Sequence, residues 1–124
     1  MLLIRNNKDA KTTLTASTHL EFVKKCETYI NKLKEQGKLI SAQPLAREGA
    51  VIVRHGSFWI AKTLKPEQDT QVGYYHILAN GLDDAIAIAK ENPEFEYIPT
   101  AKIEVRPIKT KETETGFVYP NGDK

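Results

Sequence analysis

Between residues 18 and 36 the sequence carries one apolar stripe that constrains everything around it. Phe22, Val23, Cys26, Tyr29, Ile30 and Leu33, with Leu20 before them, recur every three or four positions, the spacing that puts side chains on one face of an α-helix. Thr18 and Glu21 stand in the Thr-x-x-Glu relation of a capping box, hydroxyl and carboxylate each satisfying a free backbone N–H. Gly37 supplies the left-handed position that ends such a helix. The spacing therefore predicts a helix over 18–36. A helix with one apolar face has to bury it, and the runs on either side read as strands that provide the surface.

Residues 1–6 form the first of these strands, and the polar stretch 7–15 is a loop. Residues 38–45 form the next strand, stopped by Pro44 and Arg47-Glu48-Gly49. Ala50-Val51-Ile52-Val53-Arg54 and Ser57-Phe58-Trp59-Ile60-Ala61 flank His55-Gly56, which predicts a hairpin with a two-residue type I′ loop. Histidine tolerates positive φ better than most residues with a side chain. After a charged loop over 62–70 containing Pro66, residues 71–79 are rich in aromatic and branched side chains and predict a strand. Asn80 is the expected cap of a second helix, with Asp83 favourable to its dipole. Leu82, Ala85, Ile86 and Ala89 are its expected buried stripe, and Asn92-Pro93 ends it. Residues 102–108 alternate polar and apolar, a last strand. The stretch 109–124 is a polar tail in which only Phe117-Val118-Tyr119 offers something to dock.

Strand, helix, strand with hairpin, strand, helix, strand is the split β-α-β order of ferredoxin-like folds. The expectation is one α+β domain over residues 1–108, with an antiparallel sheet in the order 4-1-3-2 and both helices on one face. Alternation divides each strand into two sets of side chains. Leu2 and Ile4, Tyr75, Ile77 and Ala79, and Ile103 and Val105 are assigned to the helix side. The opposite face receives Arg5, Val72, Tyr74, His76, Leu78, Glu104 and Arg106, with Leu3, Ser41 and Gln43.

That second face is too apolar to stay wet and too polar for a core, which implies an interface or a ligand wall. Stacking two copies face to face by a two-fold axis makes a dimeric α/β barrel with the charges lining its cavity. The hairpin, with Ile52 and Trp59 on one side and Val51, Val53, Phe58 and Ile60 on the other, would extend that interface. The expected ligand is small and polar or anionic, held by Arg5 and Arg106 and oriented by Tyr74 and His76, with Glu104 alongside. Two other readings stand beside it. One is a cofactor-free barrel enzyme of lyase or monooxygenase type, with His76 as general base. The other is a dimerisation module for a protein partner.

Composition removes several classes. A chain of 124 residues is near the common size of one domain, and 18 Lys and Arg against 16 Asp and Glu make no strong field for nucleic acid or anionic membrane. Cys26 is the single cysteine, so no internal disulfide is possible. The charge at Arg5 interrupts any signal sequence and no window approaches a membrane span, so the expectation is a cytoplasmic protein. Three scattered histidines and one cysteine have no metal-ligand spacing. No phosphate loop, nucleophile elbow or cofactor motif occurs. His19 is expected on the surface of the helix and His55 in the turn, and Cys26 as inert packing on the stripe. Tyr74 and Tyr75 resemble the aromatic strand of RNA-binding domains only in part, because adjacent tyrosines face opposite ways.

Several segments in order carry a resemblance. Leu33-Lys34-Glu35-Gln36-Gly37-Lys38-Leu39, Val72-Gly73-Tyr74-Tyr75, Leu82-Asp83-Asp84-Ala85-Ile86 with Ala89 and Pro93, and Ile103-Glu104-Val105-Arg106-Pro107-Ile108 look like the YCII-related, DGPF-type family over residues 1–108. The resemblance implies a dimeric α+β barrel and no particular activity. It departs at the Asp-Gly-Pro-Phe box, which would fall near Ala61-Lys62-Thr63-Leu64 and of which nothing remains. Some members are thought to use a His–Asp pair, but their histidine lies about two turns nearer the helix end than His19. No catalytic residue is carried over.

Overall fold

The computed structural model describes residues 1–65 and 68–120. Pro66 of the charged loop and residues 121–124 of the tail lie outside them. The chain is α+β: β1 (Leu2–Asn6), α1 (Ala10–Thr13), α2 (Ala16–Glu35), β2 (Leu39–Pro44), β3 (Ala50–His55), β4 (Phe58–Thr63), β5 (Thr70–Ile77), α3 (Leu82–Lys90), α4 (Glu94–Tyr97) and β6 (Lys102–Val105). Four strands lie in the order β2-β5-β1-β6 with every neighbouring pair antiparallel, and β3 and β4 form a separate ribbon. The four-stranded sheet is open, with β2 and β6 as its edges.

The core lies on one side of that sheet. Leu2 and Ile4 of β1 and Tyr75 and Ile77 of β5 meet Tyr29 and Leu33 of α2 and Ile88 and Ala89 of α3. Each of the Leu and Ile side chains among them contributes about 1.5–3 kcal/mol by leaving water. The Tyr29 hydroxyl donates to the Ile88 carbonyl at 2.6 Å, which ties the two helices together inside the core. α2 ends as the stripe requires. Gly37 takes φ 71°, and Lys38 and Gly37 donate to the carbonyls of Leu33 and Lys34 at 2.8 and 3.0 Å, the Schellman pattern.

Several local expectations are corrected. α2 begins at Ala16, and its cap is Thr15, whose hydroxyl accepts from the Thr18 N–H at 3.2 Å. Thr18 is thus inside the first turn, because Thr15 offers the same oxygen three residues earlier. Leu20, counted on the stripe of α2, is 53% exposed in the second turn. The hairpin loop is Gly56-Ser57, since His55 pairs with Phe58. Gly56 has φ 61°, and no non-glycine residue among those described has positive φ. A glycine at the first loop position is the type II′ solution, and it avoids the strain of a left-handed His55.

α3 is capped at Gly81 without a side-chain bond. Asn80 donates its backbone N–H to the Asp84 carboxylate at 2.9 Å, the reverse of the expected role. Ile88 and Ala89 are its buried residues, whereas Leu82 is 55% exposed in the first turn. α1 falls in the stretch read as a loop and α4 in the connection between Pro93 and the last strand, each a single turn too short to show a period. β6 stops at Val105, short of the expected 108, just before Arg106 and then Pro107, which has no N–H to donate. In the tail, Tyr119 donates to the Thr110 carbonyl and Glu112 to that of Phe117, both at 2.8 Å. Phe117 packs edge-on to Tyr119 and both Phe117 and Val118 remain exposed.

Candidate functional site

The strand register builds the uncovered sheet face in rows. Glu104 pairs with Leu3, Leu3 with Tyr74, and Tyr74 with Gln43, so one row crosses all four strands. Arg5 pairs with Lys102 and Gln71 in a second row. His76 pairs with Ser41 in a third, one residue beyond the Leu2–Tyr75 pair. Arg106 joins that third row through Met1, whose nitrogen donates to the Arg106 carbonyl at 2.8 Å and whose carbonyl accepts from the Arg106 N–H at 3.0 Å. Arg5, Tyr74, His76, Glu104 and Arg106 therefore share the face without forming one cluster.

Distances along the sheet separate them. Arg5 and His76 lie on the order of 15 Å apart along the strands, and Glu104 is two strand spacings, about 10 Å, from β5. No carboxylate of this chain's sheet orients His76 as a base. The Arg5 guanidinium is paired with Asp69 at 3.3 Å, and the same carboxylate takes Lys102 at 3.6 Å. Arg106 is paired with Glu104 at 3.6 Å. Asp69, which sequence spacing did not connect to Arg5, thus offsets part of the positive charge that Arg5 brings to this face.

Two of the five candidates do line one concavity. Where β5 runs into α3 and β6 ends, a crevice of about 380 Å³ is bounded by His76 and Arg106 with Leu78, Leu82, Val105 and Ile108. Gly81 and Leu82 bring the N-terminal end of α3 to its wall, and no Asp or Glu lines it. Arg106 brings a fixed positive charge to this wall, shared with its Glu104 partner at 3.6 Å.

A second crevice, of about 350 Å³, opens on the helix side between α2 and the β2–β5 edge, and the sequence did not disclose it. Phe22, Val23 and Ile30 face Ala42, Leu45 and Val72 across it, with Glu94, Arg47, Asp9, Glu27 and His19 also on its wall. Asn6 anchors the polar end. It is 1% exposed, and its amide nitrogen donates to Glu94 Oε2 at 2.7 Å. Its oxygen accepts from the Lys8 N–H at 3.2 Å and from the Arg47 guanidinium, which also donates to the Lys8 carbonyl. Burial pushes the Glu94 carboxyl above its ordinary range, against the Asn6 hydrogen bond and the Arg47 charge, which pull it down.

Cys26 is half-buried in the same wall, and its thiol is pushed up to about 12 by burial first and then by Glu94 and Glu27. Such a thiol is packing, as its place on the stripe implied. His19 is half-buried at this crevice, not on an open surface, with its ring 6.4 Å from that of Phe22. His55 is exposed at a strand end. One signal for this cluster was present in the chain. Asn6 follows Leu2 and Ile4 at the inward positions of the first strand, and a polar side chain there needs a buried partner.

Among the described residues no group of three or more His, Cys, Asp or Glu side chains is placed to hold a metal ion. No helix among them is long and apolar enough to cross a membrane. No protein-family model matches the chain, and neither does any curated protein.

Proposed function

We propose that this is a ferredoxin-like domain of the YCII-related type that pairs through its open sheet face as a homodimeric barrel and binds a small polar or anionic molecule beside His76 and Arg106. The observation that carries the ligand assignment is the 380 Å³ crevice in which these two side chains share a wall with the start of α3 and with no carboxylate. A volume of that order suits a small molecule, and its apolar remainder suits a carboxylate or phosphate on a short carbon body. Arg106 would supply the charge-assisted bonds and His76 a further donor.

Pairing is supported by surface that a single chain leaves uncovered. Leu3 and Tyr74 sit mid-sheet on the face without helices. Ile52, Phe58 and Trp59 are 67%, 74% and 69% exposed on the β3–β4 ribbon. Cross-strand pairing puts Ile52 and Trp59 on one face of the ribbon and Phe58 on the other, so both faces are apolar. A two-stranded ribbon is marginal by itself in water, so apolar residues on both faces favour a partner surface. The antiparallel sheet in the order β2-β5-β1-β6 supports the ferredoxin-like reading.

The test combines mass and ligand binding. Light scattering at micromolar concentration is expected to give twice the 14.0 kDa chain mass. A panel of small carboxylates and phosphates is expected to raise Tm, as linkage requires of any ligand that binds only the native state. Arg106→Ala is expected to abolish that shift and leave the mass unchanged. A monomeric mass overturns the barrel, and a panel that shifts nothing overturns the ligand.

A further inference from the structure

The helix-side crevice has the opposite electrostatic character from the one beside His76. Asp9, Glu27 and Glu94 line it against one guanidinium, Arg47, with His19 also on the wall. Three carboxylates against one fixed cation leave a negative surplus in a cavity whose remaining wall is largely apolar. Glu94 is the most enclosed of the three. Its Oε2 is fixed by the Asn6 amide at 2.7 Å, and Asn6 is itself held by the Lys8 N–H and by Arg47. The carboxylate thus sits at a set position instead of swinging out to water, which is how a protein prepares a charge for a ligand.

Charge complementarity and wall chemistry together select the occupant. A buried carboxylate is stabilised by a positive partner that brings its own hydrogen bonds. The apolar walls reward a hydrocarbon body, and about 350 Å³ accommodates a ring with a short side chain. We propose that this crevice binds a small amphiphilic amine, its ammonium group seated against Glu94 and its apolar body between Phe22, Val23 and Ile30 on α2 and Val72 on β5. The site shares no side chain with the His76–Arg106 crevice, so either assignment stands if the other fails.

Benzylamine is the probe, with benzyl alcohol and benzoate as controls of the same size. Titration by calorimetry or by chemical-shift perturbation is expected to show saturable binding of benzylamine, at least tenfold tighter than either control. Glu94→Gln keeps the shape and an oxygen for the Asn6 amide but removes the charge, and is expected to weaken benzylamine at least tenfold. Benzoate binding best would assign the site to Arg47 and an anion, and would overturn the proposal. Equal binding of the alcohol, or unchanged affinity in Glu94→Gln, would do the same. Should Glu94→Gln fail to fold by circular dichroism, Val23→Phe fills the crevice from its half-buried wall. Loss of benzylamine binding there supports the site and retention overturns it. Arg106→Ala is expected to leave benzylamine affinity unchanged.

Discussion

Asn6→Ala removes a side chain that joins β1, the Arg47 loop and α4. Three hydrogen bonds go with it: to Glu94 at 2.7 Å, from the Lys8 N–H at 3.2 Å and from the Arg47 guanidinium. Two of them involve ionised groups, for which about 1.5–3 kcal/mol each is typical. The two together put the expected destabilisation near neutral pH at about 3–5 kcal/mol. For a 124-residue domain unfolding with about 2.1 cal/mol/K per residue, the fall in Tm is about 12–20 °C.

The cost should depend on pH with a definite sign. The folded Glu94 carboxyl lies above its unfolded value of 4.5, so the native state binds the extra proton. This contribution is fully present below the unfolded value and is lost as pH rises through the folded one. The Asn6 bond favours the carboxylate and limits that loss, so removing it pushes Glu94 higher and enlarges the loss at neutral pH. Urea midpoints taken at about pH 4 and about pH 7.5 should therefore show a larger penalty for Asn6→Ala at the higher pH. In a Glu94→Gln background the two penalties should converge. A penalty under about 1 kcal/mol at pH 7.5, or one indifferent to pH, would refute the view that Asn6 holds a charged Glu94 in place.

Leu33→Ala and Phe22→Ala should each cost about 2–5 kcal/mol in denaturant titration through the cavities they leave, and unchanged midpoints would show that α2 does not seat its stripe on the sheet. Cys26, pushed from 9.0 to about 12, should react with iodoacetamide at pH 8 about a thousandfold more slowly than a free thiol. Alkylation at the free-thiol rate would mean the α2 crevice is open to bulk water. Phe58→Ser together with Trp59→Ser should convert a scattering mass of twice 14.0 kDa toward the single-chain value while sparing the sheet and its core, and an unchanged dimer would exclude the ribbon from the interface.

The sequence by itself determined the elements whose signal is local and repeated. The stripe from Phe22 to Leu33 and Gly37 after it specify α2, because helical spacing and a left-handed end are properties of neighbouring residues. Alternation likewise assigned Leu2, Ile4, Tyr75, Ile77, Ile103 and Val105 to the helix side, and Leu3, Tyr74, His76 and Glu104 to the other, but it misplaced Val72, which the register shift between Ile4 and Arg5 turns toward the core. Where two residues competed for one local role, the choice was narrow. Thr15 over Thr18 as cap and Gly56-Ser57 over His55-Gly56 as loop differ by one hydroxyl or one φ angle.

What only the tertiary structure decided is which distant side chains meet. Asp69 reaches Arg5 and Lys102 because β5 begins where β1 ends and β6 begins. Asn6, Arg47 and Glu94 come from a strand end, a connection and a one-turn helix with no shared period. Nothing in their spacing announces them. They converge because α2, in burying its stripe, leaves a gap beside the β2–β5 edge, and buried polar groups must find partners at the end of that gap. Periodicity is a property of a segment and can be read along the chain, whereas a pocket is a property of packing and exists only once the segments have been brought together.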